Sequence, residues 1–235
     1  MKNKVIFSRD AKPTYKLLLF LALILLTVSL SSSVLGYKVI TFNEHIFTAA
    51  AIIIPFRYFL SNLIAEVYGL SMAKKMLWIL VFCNILFATI CVLVIKLPSP
   101  TYWSHQGEFN FVLGNTLRIT LSASLGVIIG TMLDIILLSK WKNIFEGRWF
   151  VLRSFFSSVF GELTHYMIAL TIMYSGILSF NQIVKLITLE YIIQILILLA
   201  ISPLAQIALF FIKYIEGVDI YERNTSINPF DLSSK

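Results

Sequence analysis

The stretch PFRYFLSNLIAEVYG, residues 55–69, follows the apolar run IFTAAAIII and yet carries Arg57, Asn62 and Glu66. Side chains that ionise inside hydrocarbon are costly, so they tend to face the interior of a helix bundle, a partner group or a water-filled path. The stretch therefore predicts a membrane helix that contributes to a polar interior shared with other helices.

The composition of the whole chain is that of a membrane protein. Of its 235 residues, 58% are hydrophobic and 13% are charged, whereas soluble domains carry about 25% charged residues. Apolar blocks recur at the length of roughly 20 residues that a spanning helix requires. The chain is therefore expected to be an all-α, polytopic membrane protein with six transmembrane helices in one bundle. The six predicted spans are residues 17–36, 46–67, 76–96, 119–138, 154–174 and 187–212.

These spans predict a six-helix transmembrane domain, 17–212, between a basic cytoplasmic N-terminal tail, 1–16, and a cytoplasmic C-terminal tail, 213–235. The first apolar run is longer than the roughly 7–15 residues of a signal-peptide core. We therefore expect it to be retained as a span rather than cleaved.

The distribution of basic residues predicts the orientation of the bundle. With six spans, fourteen Lys and Arg residues fall in the two tails and in the second and fourth connections, and four fall on the opposite side. The positive-inside rule then places both termini in the cytoplasm. The net charge of +7 is thus an orientation signal: the expected partner is the lipid bilayer, and no nucleic acid is expected. The oligomeric state is left open.

Three residues of the second span recur every four positions. Tyr58, Asn62 and Glu66 therefore share one helical face. Arg57 and Glu66 are half a turn out of phase and cannot pair within one helix, so each needs a partner on another helix. The alternative is that Glu66 marks the cytoplasmic end of the span and that Arg57 extends toward the headgroups.

The fourth span contains a stripe of small residues. Ser122, Gly126, Gly130 and Asp134 recur every four residues, a pattern that lets two helices pack closely. We interpret both glycines as packing residues. Asp134 either pairs with a lysine of the following connection or, because it shares the stripe, faces the centre of the bundle.

Polar side chains also mark the last two spans. Glu162, His165 and Tyr166 are three and four residues apart and share a face, and a carboxylate beside an imidazole suits a proton relay or the binding of a polar solute. In the last span Glu190 and Gln194 are one turn apart, and Gln194 is the better site candidate.

The connection of residues 97–115 is long and rich in aromatic residues. We expect a surface loop whose Tyr102 and Trp103 lie at the membrane interface, the alternative being an external lid over a substrate path. The sequence has no CxxC pair, P-loop or GxSxG motif, so no metal, cofactor or catalytic residue is expected.

Several ordered motifs resemble those of the queuosine precursor transporter family, also called the vitamin uptake transporter family. The resemblance extends over about residues 31–230. PFRYFLSNLIAEVYG is similar to the family signature at Pro55, Tyr58, Glu66, Val67, Tyr68 and Gly69. GNTLRITLSASLGVIIGTMLD is similar at Arg118, Ile119, Gly130 and Asp134. LRSFFSS before the fifth span and the ending VDIYERNTSINPF resemble further family segments.

The chain departs from the family pattern at polar positions. Asn62 stands where the family usually has Asp, Thr131 replaces a Gln, and Gln194 replaces a Lys. His165 and Tyr166 replace an Asp-Thr pair. These are positions at which we expect contact with the solute.

The resemblance implies a carrier of a bacterial inner membrane that imports 7-deazaguanine bases, the precursors of queuosine, or a related purine-like solute. The expected substrate-binding residues are Tyr58, Asn62, Glu66, Arg118, Asp134, Glu162, His165, Tyr166 and Gln194. One alternative is a substrate-binding subunit of an ATP-driven vitamin importer. Another is an intramembrane enzyme that uses Glu162 and His165, but no nucleophile or metal-ligand motif accompanies them.

Overall fold

The structure is a computed structural model that describes residues 15–42, 45–222 and 228–231. In chain order the elements are α1 (Leu18–Leu35), β1 (Val39–Phe42), β2 (His45–Thr48), α2 (Ala50–Tyr68), α3 (Leu70–Ile95), α4 (Gln106–Leu113), α5 (Thr116–Ile144), α6 (Phe150–Tyr174) and α7 (Phe180–Glu216). We call the end of the bundle that carries β1, β2 and α4 the hairpin end. The opposite end, with residues 15–17, 145–149 and 217–222, is the tail end.

The predicted all-α architecture is confirmed, and each predicted span lies within or overlaps one long helix, α1, α2, α3, α5, α6 or α7. Helices α3, α5, α6 and α7 extend beyond the apolar blocks, and the ends of α7 are capped. At the start of α7, Ser179 and Gln182 form a capping box. At its end, Gly217 has φ +65°, a left-handed conformation that glycine adopts without strain.

Five helical segments are long and apolar enough to cross a membrane, namely α1, α2, α3, the α4–α5 segment Gln106–Ile144, and α7. Helix α6 has a comparable length of 25 residues but is not among them. Its inward face is polar, with buried Ser154, Ser158, Glu162 and His165. Several large apolar residues of α6, among them Phe156 and Phe160, lie on its exposed side.

The second helix begins later than the sequence predicts. The predicted span starts at residue 46, whereas α2 begins at Ala50 and residues 45–48 form strand β2. Strand β2 pairs antiparallel with β1, with Val39 opposite Thr48. Both strands are rich in β-branched and aromatic residues, which favour extended structure.

Helices α5 and α6 cross at glycines. A Cβ added at Gly161 would lie 2.7 Å from the carbonyl oxygen of Gly130, and one at Gly126 would lie 2.7 Å from the carbonyl oxygen of His165. No side chain fits at these distances, so the two backbones touch directly. The interpretation of Gly126 and Gly130 as packing residues is confirmed.

The C-terminal segment packs back onto the bundle. The Lys74 ammonium donates to the carbonyl of Asn228 at 2.8 Å, and the Trp78 indole donates to the carbonyl of Pro229 at 3.0 Å. The ring of Phe230 stacks on Trp78 with a centroid separation of 5.1 Å. The segment therefore covers the start of α3 at the tail end.

Candidate functional site

A cavity of about 390 Å³ lies between the helices at the hairpin end. Its walls are mainly apolar, with Ile54, Val127 and Leu170 among them. Polar side chains from six helices also line it, including Ser29, Arg57, Asn84, Arg118, His165, Tyr166 and Glu190. An apolar cavity of this size with a few convergent polar groups is typical of a small-molecule site.

Arg57 lies at the inner part of the cavity, midway along α2. Its side chain is 4% exposed, and its Nε and Nη2 atoms have no hydrogen-bond partner among the described residues. The guanidinium carbon lies 5.2 Å from the ring centre of Tyr58, a cation–π distance. No carboxylate of the described residues forms an ion pair with it within 4.0 Å. Arg57 is thus a buried cation at the edge of a cavity, and sequence reasoning did not include it in the site.

Helix α6 contributes three buried polar groups, two of them at the cavity lining and Glu162 one turn deeper. Glu162, His165 and Tyr166 all point inward, which confirms that they share a buried face. Both Glu162 oxygens, the His165 Nδ1 and the Tyr166 hydroxyl have no hydrogen-bond partner among the described residues. The His165 ring lies between Tyr58 and Tyr166, with centroid distances of 6.4 Å and 5.5 Å.

Helix α7 adds Glu190 and Gln194. Glu190 lines the cavity and accepts a hydrogen bond of 3.1 Å from the backbone N–H of Thr48, at the end of β2. Gln194 is one turn deeper and fully buried, and neither its oxygen nor its nitrogen has a described partner. Gln194 was predicted to be the better site candidate, but Glu190 is the residue that lines the cavity. In the sequence, the one sign of this role was that Glu190 is the lone carboxylate in the apolar last span.

The opposite wall of the cavity is a small polar cluster on α1 and α3. The Asn84 amide donates to the Ser29 hydroxyl at 2.9 Å, and the Ser33 hydroxyl donates to the Asn84 oxygen at 3.3 Å. Sequence reasoning missed this wall. Its only sequence signal is one amide in the third span and a serine-rich end of the first.

Arg118 stands at the hairpin-end mouth of the cavity. It is exposed and donates to the carbonyl of Ser175 at 2.9 Å, which links the start of α5 to the end of α6. Tyr37 also lines the cavity there. Burial, with a smaller contribution from Tyr174, raises the pKa of Tyr37 to about 12, so its hydroxyl remains a neutral donor.

The predicted face of α2 packs along α6, and its deeper residues lie outside the cavity lining. Tyr58 donates to the Gly161 carbonyl at 3.3 Å, and Asn62 donates to the hydroxyls of Ser154 and Ser158 at 3.0 and 2.8 Å. On α5, Asp134 is fully buried at the centre and accepts from Ser158 at 3.4 Å. Asn62 and Asp134 therefore form a layer beneath the cavity rather than its surface.

Glu66 belongs to a third layer, at the tail end. Its two oxygens accept hydrogen bonds of 3.0 Å from Arg153, and Lys213 lies 3.6 Å away. Lys142 reaches the backbone carbonyl of Glu66 and forms an ion pair of 2.6 Å with Asp219. These charges satisfy one another, so Glu66 contacts neighbouring helices and the C-terminal segment rather than the cavity.

Of the nine predicted site residues, the structure thus brings two to the cavity floor and one to its mouth, namely His165, Tyr166 and Arg118. Glu162 and Gln194 lie one turn deeper on the same helices, and Tyr58 lies behind Arg57 and His165. The arrangement offers donors, acceptors and aromatic surface to a flat polar molecule.

A bundle of apolar helices that contains a cavity with polar groups is typical of a membrane transporter. A family model described as "Putative vitamin uptake transporter" matches residues 48–208. The chain belongs to this family. No curated protein and no solved structure matches the chain.

Proposed function

We propose that this chain is a secondary carrier of a bacterial inner membrane that imports 7-deazaguanine precursors of queuosine or a related purine-like solute. The observation that carries the proposal is a set of buried polar groups without described partners. Those of Arg57, His165 and Tyr166 line the cavity, and those of Glu162 and Gln194 lie one turn deeper. A buried polar group without a hydrogen bond is costly, so a ligand that supplies the missing bonds would bind there favourably.

The size and chemistry of the cavity support a heterocyclic base. Its volume of about 390 Å³ is within the range of about 300–1,000 Å³ for small-molecule sites. A guanine-like edge carries neighbouring N–H groups for a carboxylate and a carbonyl for a cationic donor. Glu162 and Arg57 provide these two chemistries, while Tyr166 provides aromatic surface.

The layers of the bundle support an alternating-access mechanism. We propose six spans, with α6 crossing the membrane packed against α5 and α7, and with both termini in the cytoplasm. The hairpin end, and with it the cavity, is then external. The ion-paired layer of Glu66, Arg153, Lys142 and Asp219 closes the cytoplasmic side. Transport requires this closure to open when the external side closes.

The charges at the cavity favour an uncharged base over one that bears an aminomethyl cation. The family pattern has aspartates at the positions of Asn62 and His165, whereas this chain has an amide and an imidazole. The buried Arg57 adds a positive charge next to the cavity. An ammonium group would therefore meet repulsion and lose charge-assisted hydrogen bonds worth about 1.5–3 kcal/mol each.

Growth rescue tests the proposal. The chain is expressed in a queuosine-auxotrophic bacterium that lacks its own importer, and candidate precursors are supplied one at a time. Queuosine should appear in tRNA when the neutral cyano precursor is supplied. Lys185→Ala, an exposed change at the hairpin end, should rescue as well as wild type. Absence of rescue by any deazaguanine, with the protein present in the membrane, would contradict the proposed substrate.

A further inference from the structure

We infer that Arg57 and Glu162 together bind the lactam edge of the transported base, the ring C=O and the neighbouring ring N–H. The C=O accepts from the Arg57 guanidinium, and the N–H donates to the Glu162 carboxyl group. This inference rests on the proposed function and assigns the orientation of the base within the site. It adds Arg57 to the substrate-binding residues and gives Glu162 a defined partner.

The first observation is that Arg57 is buried without a counterion. Its side chain is 4% exposed and lines the cavity, and two of its nitrogens have no hydrogen-bond partner among the described residues. The contrast with Arg153 is informative. Arg153 is equally buried, but it makes two hydrogen bonds to Glu66 and further bonds to backbone carbonyls. Arg57 is therefore suited to receive an acceptor from a ligand.

The second observation concerns Glu162. Its side chain is fully buried, and both oxygens have no described hydrogen-bond partner. It interacts electrostatically with Arg57, but the two groups do not form an ion pair within 4.0 Å. Arg57, at the cavity, and Glu162, one turn deeper than the lining residues of α6, are thus a buried donor and a buried acceptor whose hydrogen bonds are unfilled among the described residues.

A lactam edge matches this donor and acceptor in chemistry because it presents an acceptor and a donor side by side. The two ring atoms would satisfy Arg57 and Glu162 at once, and an exocyclic amine next to the N–H would reach the second Glu162 oxygen. A carboxylate ligand would satisfy Arg57 but would repel Glu162. An ammonium ligand would satisfy Glu162 but would repel Arg57. The combination therefore selects a neutral base with an amide-type edge.

Three probe bases that differ by one group test the inference on the purified full-length chain in nanodiscs. 7-Deazaguanine has both the lactam and the amine, 7-deazahypoxanthine has only the lactam, and 2-amino-7-deazapurine has only the amine. The second base loses one hydrogen bond to Glu162, so its calorimetric affinity should fall by about tenfold. The third base loses the hydrogen bonds of the lactam to both Arg57 and Glu162, so its affinity should fall by a further factor of about ten or more.

Two variants test which residue hydrogen-bonds to which group of the base. Arg57→Met should weaken both lactam bases by about tenfold or more and leave 2-amino-7-deazapurine nearly unchanged. Glu162→Gln should weaken 7-deazaguanine more than 7-deazahypoxanthine, because the amide cannot accept two N–H groups. Arg148→Met, an exposed arginine at the tail end, is the matched control and should change nothing. Melting temperatures in the same nanodiscs verify that each variant is folded.

The outcomes separate this inference from the proposed function. If wild type binds none of the three bases, the proposed function fails, and the inference fails with it. If wild type binds 7-deazaguanine but binds 2-amino-7-deazapurine equally well, the inference alone is overturned, even where Arg57→Met does not fold. An Arg57→Met effect that is the same for all three bases would also overturn it. Arg57→Lys, which keeps the charge, should weaken the lactam bases less than Arg57→Met.

Discussion

Arg153 and Glu66 are joined by two hydrogen bonds of 3.0 Å, one from each terminal guanidinium nitrogen to one carboxylate oxygen. The pair links α6 to α2 and is shielded from solvent, with side chains 2% and 0% exposed. Paired, bidentate geometry makes a carboxylate acceptable inside a bundle. The carboxylate in the apolar stretch 55–69 is therefore explained by a partner 87 residues away.

Glu66→Gln should destabilise the protein. The change leaves the buried Arg153 without its countercharge, and breaking a buried ion pair costs about 3–5 kcal/mol. For a chain of this size that corresponds to a fall in melting temperature of roughly 10 °C. Glu108→Gln is the matched control, because Glu108 is exposed on α4 and forms only a 3.7 Å contact with His105. A melting temperature for Glu66→Gln equal to that of the control would show that the buried pair is not needed for the closed tail end.

Gly161→Ala should disturb the contact between α5 and α6. Its new Cβ would meet the Gly130 carbonyl and the Asp134 Cβ, both at 2.7 Å. Overpacking of this kind costs about 1–3 kcal/mol, which a thermal unfolding series in detergent can measure. At Gly107 an added Cβ has nothing within 4 Å, so Gly107→Ala serves as the control. If both alanine variants unfold at the same temperature, α5 and α6 do not approach each other as closely as described.

The proposed orientation predicts the sides on which two reporters lie. A reporter fused after Lys235 should be cytoplasmic, and one inserted near Gln106 should be external, since Lys and Arg are concentrated on the terminal side. Paired alkaline phosphatase and fluorescent-protein fusions measure this directly. A cytoplasmic signal from the reporter near Gln106 would contradict the six-span arrangement.

His165→Asp should shift preference toward a base with an aminomethyl cation. His165 lines the cavity, so a carboxylate there would face the ligand and attract the ammonium. Asn62→Asp alone should shift it less, because the Asn62 amide contacts Ser154 and Ser158 beneath the cavity. The double change should shift it most. Competition uptake assays on the three variants measure the size of each shift in preference. A larger shift for Asn62→Asp than for His165→Asp would place the solute deeper than we propose.

Local sequence patterns predicted the six long helices and their inward faces, but not α4 or the β1–β2 hairpin. The spacing of Tyr58, Asn62 and Glu66 predicted one shared face, and all three indeed pack along α6. The glycine stripe of α5 likewise predicted a close helix contact. These predictions succeed because helical periodicity depends only on residues a few positions apart.

The partners of the polar groups could not be predicted in the same way, because they lie on distant segments. The spacing of residues in the sequence does not reveal that Arg153 forms an ion pair with Glu66, or that Arg57 lacks a described partner. The wall around Asn84 and the docking of Trp78 against Phe230 also depend on long-range packing. The sequence showed that a charged side chain at Arg57 is costly inside a membrane span. Its position in the lining of a cavity, where a ligand could bind, is known only from the structure.

Uptake by the purified chain in lipid vesicles tests the central claim most directly. Vesicles that contain only this protein are supplied with labelled 7-cyano-7-deazaguanine, and unlabelled cyano and aminomethyl bases compete in parallel. The account predicts uptake above that of empty vesicles, with the neutral base the stronger competitor by about tenfold or more. Absence of uptake by the chain alone would contradict a self-sufficient carrier, and stronger competition by the cationic base would contradict the charge selectivity assigned to Arg57 and His165.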